Sequence, residues 1–252
     1  MIMLFIFVFY MKKGVKNLTL KVTTFSSKGR ATRIYGYKTK RIHHLQSDNQ
    51  LRTFLLFEWD DRVKDIRENI ELKDIEATIE EADNLKLDKF SNKETRELFQ
   101  LHTNFLVTVN RGKGEELIAI SVKSLSELER KTVIEKMEIE RRYWKAKGIK
   151  FFVITEKEID KPFVDNIKWV REALIDKSIE DKKEIGEKLY YFLQNNINEK
   201  LSKALGLFEY KEKVKEGTGL FIFRYLIGIK EISVNMKKSI DLNEKVIEFI
   251  KF

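Results

Sequence analysis

Alternating apolar and polar residues near the start of the chain predict a β-hairpin. Residues 17 to 36 contain two stretches in which apolar side chains recur at about every second position, and the polar residues 26 to 29 between them favour a turn. The pattern then changes to apolar residues three and four positions apart, which is typical of an amphipathic helix. This helix is predicted to begin at Ser47 and to end near Asp60.

The middle of the chain predicts a mixed α/β core. Two apolar strands are expected at 105 to 109 and 117 to 122, joined by the Gly-containing turn 110 to 114. A long amphipathic helix is predicted over 128 to 147, and a buried strand over 149 to 155. An order of strand, strand, helix, strand favours the α/β class.

The chain is predicted to contain two domains. Its one proline, Pro162, marks the boundary between a domain over 11–163 and a smaller one over 166–252, with an apolar extension over 1–10. The charged, poorly periodic segment 74–100 is expected to lie on the surface. Three helices and then two strands are predicted in the second domain, over 166–176, 179–196, 199–207, 220–228 and 231–236. Helices closed by a β-ribbon suit a winged-helix-like domain, with DNA or a protein as partner.

The apolar extension over 1–10 is not predicted to span a membrane. A span needs about 20 apolar residues, and a signal peptide carries its positive charges before its apolar stretch, whereas Lys12 and Lys13 follow this one. An upstream start codon, an extra packed segment, a signal-like segment and a membrane-surface anchor remain open. We expect a cytoplasmic protein that has no membrane partner.

Positive charge is concentrated in the first fifth of the chain. The net charge is +9, and residues 11–52 contain eleven Lys or Arg against one acid, Asp48. Such a segment favours contact with a polyanion, although a solvated basic surface would look the same. The residues predicted to contact DNA are Lys38, Lys40, Arg41, His43 and His44. For the two histidines, packing or phosphate contact is favoured over metal ligation, since no third histidine is placed to complete a metal site with them.

Three polar residues are predicted to converge at one end of the 105–122 hairpin. Its turn places Asn104 beside Ser121, and the two-residue period puts Ser121 and Lys123 on one face. With carboxylates at the first two positions, this would be a nuclease arrangement in which Mg²⁺ activates water and lysine positions it. Cysteine is absent, so any metal here is expected to be a hard cation with oxygen ligands. A strand that merely ends in lysine is the structural alternative.

Two further residues attract attention on the predicted helices. Glu140 falls in the apolar stripe of the long helix and should face inward, where a buried glutamate needs a metal or a partner such as Arg141 or Arg142. Gln50 follows Ser47 by three residues. That spacing predicts a capping box. In it the Ser47 side chain accepts a hydrogen bond from the backbone amide of Gln50, and the Gln50 side chain accepts one from the backbone amide of Ser47.

Four stretches of the sequence resemble the TnsA family, the endonuclease subunits of heteromeric bacterial transposases. They are 33–51, 101–107, 119–123 and 134–159, of which the last is the most specific. The resemblance implies a restriction-endonuclease-like N-terminal domain with a mixed sheet and a small winged-helix-like C-terminal domain. It further implies Mg²⁺-dependent cleavage, with Mn²⁺ as a substitute, of the 5′ strands of double-stranded DNA at transposon ends. The implied partners are a TnsB-like transposase, which handles the 3′ ends, and a TnsC-like ATP-dependent regulator.

The resemblance also assigns site positions. The family's helix glutamate falls on Gln50, its metal-binding aspartate on Asn104, its strand glutamine on Ser121, its lysine on Lys123 and its inward helix glutamate on Glu140. The implied metal ligands are therefore positions 50, 104 and 121. Only Lys123 and Glu140 keep the chemistry that the family implies.

The departures at positions 50 and 104 share one chemistry. An amide replaces a carboxylate of the same shape at each, as deliberate inactivation or natural loss of function would leave it. Because Mg²⁺ is bound largely through carboxylates, we expect weak metal binding and little cleavage. Two alternatives remain. One is a non-catalytic DNA-binding and scaffold subunit that bridges transposase and regulator, and the other is a nuclease of this fold that serves restriction or repair.

Overall fold

The computed structural model describes residues 31–80, 85–112 and 114–252. The apolar extension, residues 11–30 of the basic segment and the first strand of the predicted hairpin lie outside these residues. Two compact units divide the chain between Ile159 and Asp160, close to the boundary expected at Pro162.

The first unit is built on a four-stranded sheet. Its elements are β1 Thr32–Tyr35, β2 Ile42–Leu45, α1 Asp48–Trp59, β3 Val63–Glu71, α2 Ile75–Thr78, a 3-10 turn Leu87–Phe90, β4 His102–Asn110, β5 Glu115–Val122, α3 Leu125–Leu128, α4 Lys131–Ala146 and β6 Lys150–Ile154. The strand order is β3-β4-β5-β6, with β6 parallel to β5 and the other pairs antiparallel. The predicted mixed α/β core is confirmed.

The β4–β5 hairpin brings the candidate polar residues to one end of the sheet. Phe105 pairs with Ile120, and continuing this register places Asn104 opposite Ser121. The predicted turn near Gly112 is thus confirmed to within one residue. The crossover through α4 returns the chain to pair β6 with β5, and Ser121 is opposite Val153 there.

Two layers of apolar side chains hold this sheet. On one side α4 contributes Ile139, Tyr143 and Trp144 to a buried cluster that includes Leu106 and Ala119. On the other side, Phe57 of α1 packs edge-to-face on Phe105, with ring centroids 5.5 Å apart. The ends of β4 and β5 are therefore fixed between α1 and α4.

Strand β3 has no counterpart among the predicted elements. Its apolar residues Val63, Ile66 and Ile70 are spaced three and four apart, as in a helix, because a register shift between Val63 and Asp65 and the left-handed backbone of Asn69 (φ 53°) break the alternation. The first predicted hairpin stays a prediction, because its first strand lies outside the described residues. Strand β1 lies within its second stretch and pairs with β2, from Thr32 opposite Leu45 to Tyr35 opposite Ile42.

The second unit is helical, with one short pair of strands. Its elements are α5 Lys161–Ile175, α6 Lys182–Asn195, α7 Leu201–Glu212, α8 Thr218–Gly228, β7 Ser233–Val234, α9 Val246–Phe249 and β8 Ile250–Lys251. The strand predicted over 220–228 is wrong, because this run forms α8 and packs against α5, α6 and α7. Its winged-helix character stays a prediction. Among the described residues, no helix combines the length and apolar character that crossing a bilayer requires.

Candidate nuclease site

Asn104 and Lys123 meet at the end of the β4–β5 hairpin. The Asn104 Oδ1 accepts a hydrogen bond from the Val122 backbone amide at 2.7 Å and a longer one from Lys123 Nζ at 3.4 Å. The hairpin produces this proximity, because both residues lie beyond the Phe105–Ile120 pair at which the β4–β5 ladder ends. An amide oxygen therefore occupies the place where a carboxylate would face the lysine.

Glu140 lies at the centre of a buried polar network. It is fully buried, as its position in the apolar stripe predicts. Its Oε2 accepts from Ser121 Oγ at 2.7 Å and from Thr103 Oγ1 at 2.9 Å, and Thr103 Oγ1 accepts from Trp144 Nε1 at 2.8 Å. Its Oε1 is buried and accepts no hydrogen bond from the part of the chain that the structure describes. Ser121 is thus bound to Glu140.

The expected arginine partners of Glu140 are wrong. Arg141 and Arg142 both bind Glu138 on the surface of α4, at 2.7 Å and 2.9 Å. Sequence reasoning missed Thr103 because strict alternation would point Thr103 and Leu106 to opposite faces. Thr103 Oγ1 nevertheless reaches Glu140 of α4, while Leu106 packs in the apolar cluster that α4 forms with the sheet.

A second lysine, Lys136, lies close to Lys123 and was also missed. Burial lowers the pKa of the Lys136 amine and the charge of Lys123 lowers it further, while the carboxylates of Glu140 and Glu127 act in the opposite direction. Lys136 precedes Glu140 by four residues on α4, and this spacing was the available signal. The Lys136 amine is therefore within electrostatic reach of both Lys123 and Glu140.

Gln50 lies in the first turn of α1, where the helix prediction is confirmed. Ser47 Oγ accepts from the Gln50 amide as expected, at 3.2 Å, but Gln50 Oε1 accepts from the Gln46 amide at 2.9 Å and not from that of Ser47. Half of the capping box is therefore wrong. Gln50 is buried, and no hydrogen bond within residues 31–80, 85–112 and 114–252 joins it to Asn104, Ser121, Lys123 or Glu140.

The side chains at these positions do not fit a magnesium ion. The Gln50 and Asn104 oxygens already accept from backbone amides, and the Ser121 hydroxyl is bound to Glu140. Within the described residues, no three His, Cys, Asp or Glu side chains come together as metal ligands. Mg²⁺ favours octahedral oxygen sites that include carboxylates, whereas here one carboxylate stands beside two lysines.

The residues predicted to contact DNA divide into two groups. Glu68 binds Arg41 at 2.7 Å and His43 Nδ1 at 2.7 Å, and Lys38 donates to the Asp60 and Val63 carbonyls. His43 is fully buried, so its assignment to a phosphate contact does not fit this fold. The side chains of Lys40 and His44 are exposed.

The buried network yields a stability prediction. Thr103→Val removes a donor to Glu140 and the acceptor of Trp144 Nε1 while keeping the shape of the side chain, so two buried polar groups lose a partner. We expect it to lower the free energy of unfolding by about 2–4 kcal/mol, measured by urea denaturation. Thr53→Val is the matched control. Thr53 is equally buried but only donates to the Asn49 carbonyl of its own helix, and the expected loss is under about 1 kcal/mol. Equal losses would contradict the role of the network.

Comparison with known proteins agrees with the geometry. A family model described as TnsA-like endonuclease N terminal matches residues 60–156, and one described as TnsA endonuclease C terminal matches residues 158–236. The chain is 39% identical over 153 residues to transposon Tn7 transposition protein TnsA of Escherichia coli. That alignment covers 60% of this chain and 54% of the relative, so the chain spans about half the relative's length. Asn104, Ser121, Lys123 and Glu140 lie within the first matched range, and Gln50 precedes it.

Proposed function

Because the chain belongs to the TnsA endonuclease family, we propose that it is the subunit of a Tn7-like transposase that acts on the 5′ strands at transposon ends. The observation that carries the proposal is the convergence of Asn104 and Lys123 where the β4–β5 hairpin ends. In this chain cleavage is disabled, because Gln50 and Asn104 occupy the positions at which the family resemblance implies carboxylates.

The chain's own side chains can still hold a DNA phosphate. Lys123 and Lys136 place two positive charges near each other, and the Asn104 amide adds neutral hydrogen-bonding groups. The carboxylate of Glu140 is held away from solvent by its bonds to Thr103 and Ser121. Mg²⁺ or Mn²⁺ binding is accordingly weak, and the phosphate is bound without being cut.

A non-catalytic role is the second candidate. It is favoured by one combination: the chain keeps the matched C-terminal region over 158–236, while its candidate site lacks a set of metal-binding carboxylates. Such a subunit would bind end DNA and bridge a TnsB-like transposase to a TnsC-like ATP-dependent regulator.

One experiment separates the two candidates. The double variant Gln50→Glu, Asn104→Asp is combined with the partner transposase on transposon-end DNA in Mg²⁺ or Mn²⁺, and cleavage of the 5′ strand is measured on sequencing gels. New 5′ breaks support a disabled nuclease. Intact 5′ strands contradict it and leave the scaffold role.

A further inference from the structure

The β1–β2 hairpin, here called the ribbon (residues 32–45), presents one face to solvent. Arg33 is paired directly with His44, and Tyr35 with Ile42. Residues paired across an antiparallel ladder share a face, so these four side chains form one surface. All four are exposed, and the two large apolar ones are 45% (Tyr35) and 57% (Ile42) accessible.

The opposite face of the ribbon is fixed to the sheet. His43 and Leu45 are buried there, and Glu68 of β3 accepts from Arg41, from His43 and from the backbone amide of His44. Tyr37 donates its backbone amide to Glu58 of α1. The ribbon is therefore a rigid platform, and a partner that binds its outer face would not have to order it.

The charge on the outer face has one sign. From residue 31 to Ser47 the sequence contains four Lys or Arg and no acid. Two of these cations, Arg33 and Lys40, are exposed, and Lys40 lies in the connection between the strands with a left-handed backbone (φ 56°). The two acids that bind the ribbon do so away from this face: Glu68 binds Arg41 and His43 on the fixed face, and Glu58 accepts from the Tyr37 amide. A polyanion is the partner that this distribution fits.

We propose that the outer face of the ribbon, formed by Arg33, Tyr35, Ile42 and His44 with Lys40 at its tip, binds duplex DNA. A two-stranded ribbon fits the major groove, where cations contact phosphates while aromatic and aliphatic side chains contact sugars and base edges. A protein partner would need an acidic surface to match this face, whereas duplex DNA presents a regular array of phosphates to its cations. The inference rests on the proposed function in assuming that the subunit acts on DNA. It concerns residues that precede the matched range, which begins at residue 60.

The ribbon leads directly into the candidate site. Strand β2 ends at Leu45, Ser47 caps α1, and Gln50 lies in the first turn of that helix. DNA bound on the ribbon would be positioned by the same short segment that positions Gln50. The ribbon would thus hold the duplex beside the first turn of α1, whether or not the subunit cuts.

The test is equilibrium binding of a fluorescently labelled duplex of mixed sequence, about 30 base pairs long, followed by anisotropy at several salt concentrations. Arg33→Gln and Lys40→Gln are each expected to weaken binding and to reduce the slope of log K against log salt by about one. Lys73→Gln is the matched control, because Lys73 is an exposed lysine of the same unit away from the ribbon; it should leave affinity and slope unchanged. Equal effects of Lys40→Gln and Lys73→Gln would overturn the proposal.

The apolar pair gives an independent readout. Ile42→Ser and Tyr35→Ser are expected to lower affinity several-fold at an unchanged salt slope, since neither side chain carries charge. Unchanged DNA affinity in both would overturn the proposal and leave a protein as the partner of this face. Failure of the ribbon is distinguishable from failure of the proposed function. In the first case the Gln50→Glu, Asn104→Asp protein cuts 5′ strands and ribbon variants bind DNA normally; in the second it does not cut, whatever the ribbon variants do.

Discussion

Restoring both carboxylates with Gln50→Glu and Asn104→Asp is expected to raise 5′-strand cleavage at transposon ends by at least about two orders of magnitude. Both exchanges keep the shape of the side chain, so the hydrogen bonds that Val122 and Lys123 donate to position 104 can persist. A carboxylate would strengthen them, because bonds to a charged acceptor are stronger than bonds to a neutral one. The fold should accept the new charges at little cost, which circular dichroism and urea midpoints of the double variant can check.

The controls decide whether the new breaks come from this site. Adding Lys123→Ala to the double variant should return cleavage to background, whereas Lys150→Ala should not, because Lys150 is exposed and begins β6 at the opposite end of the sheet from Lys123. Each single restoration should cut far less than the pair, since residues that act as a unit are not additive. Breaks that persist with Lys123→Ala would point to a contaminating nuclease and contradict the assignment.

Ser121 is left unchanged in these variants. Its place beside Glu140 is fully buried and would not admit a larger side chain without overpacking.

The strands that sequence reasoning located are those with a strong local signal. The β4–β5 hairpin carries an apolar run on each side of a glycine-containing turn, so both its pairing and its register were accessible. Strand β3 lacked that signal because irregularities at Lys64 and Asn69 shift its inward residues out of the two-residue period. The residues of helix α8 were predicted to be a strand for a different reason. Its apolar run is buried on several sides, and such a run does not distinguish a helix from a strand.

In the candidate site, the orientation of a side chain was predictable only where it depends on its own helix or strand. Helical periodicity was enough to turn Glu140 inward, since that depends on its own helix alone. Its partners depend on which strand residues reach α4, and nothing in the sequence marks Thr103 as one of them. In the ribbon, too, the sequence did not reveal which side chains face outward. Charge composition indicated a basic surface, but only the pairing of β1 with β2 and the position of Glu68 separate the inward His43 from the outward His44.

Removing the carboxylate of Glu68 is expected to destabilise the first unit by about 3 kcal/mol, near the lower end of the range for breaking a buried ion pair, because Arg41 is partly exposed. Glu68 is 11% exposed and accepts from Arg41, from His43 and from the His44 amide, so Glu68→Ala leaves a buried imidazole and a guanidinium without their acceptor. Urea denaturation measures the loss. Glu138→Ala is the control: Glu138 also binds two arginines, but on the surface of one helix, and its loss should be about 0.2–1 kcal/mol. Similar losses in the two variants would contradict the prediction.

The same cluster should also make stability depend on acid. Burial alone would raise the pKa of the Glu68 carboxyl, but the hydrogen bonds from His43 and Arg41 outweigh it and hold that pKa well below its usual range. A depressed pKa in the folded state means that Glu68 contributes its full stability above the unfolded value of about 4.3 and loses it as the pH falls toward the folded value. The difference in unfolding free energy between the wild type and Glu68→Gln should therefore shrink as the pH falls below about 4. A difference that stays constant through the acid range would show that the charge of Glu68 does not hold the ribbon in place.

Glu68→Gln should also weaken duplex binding although it removes a negative charge, because a loosened ribbon no longer presents Arg33 and Lys40 on a fixed surface.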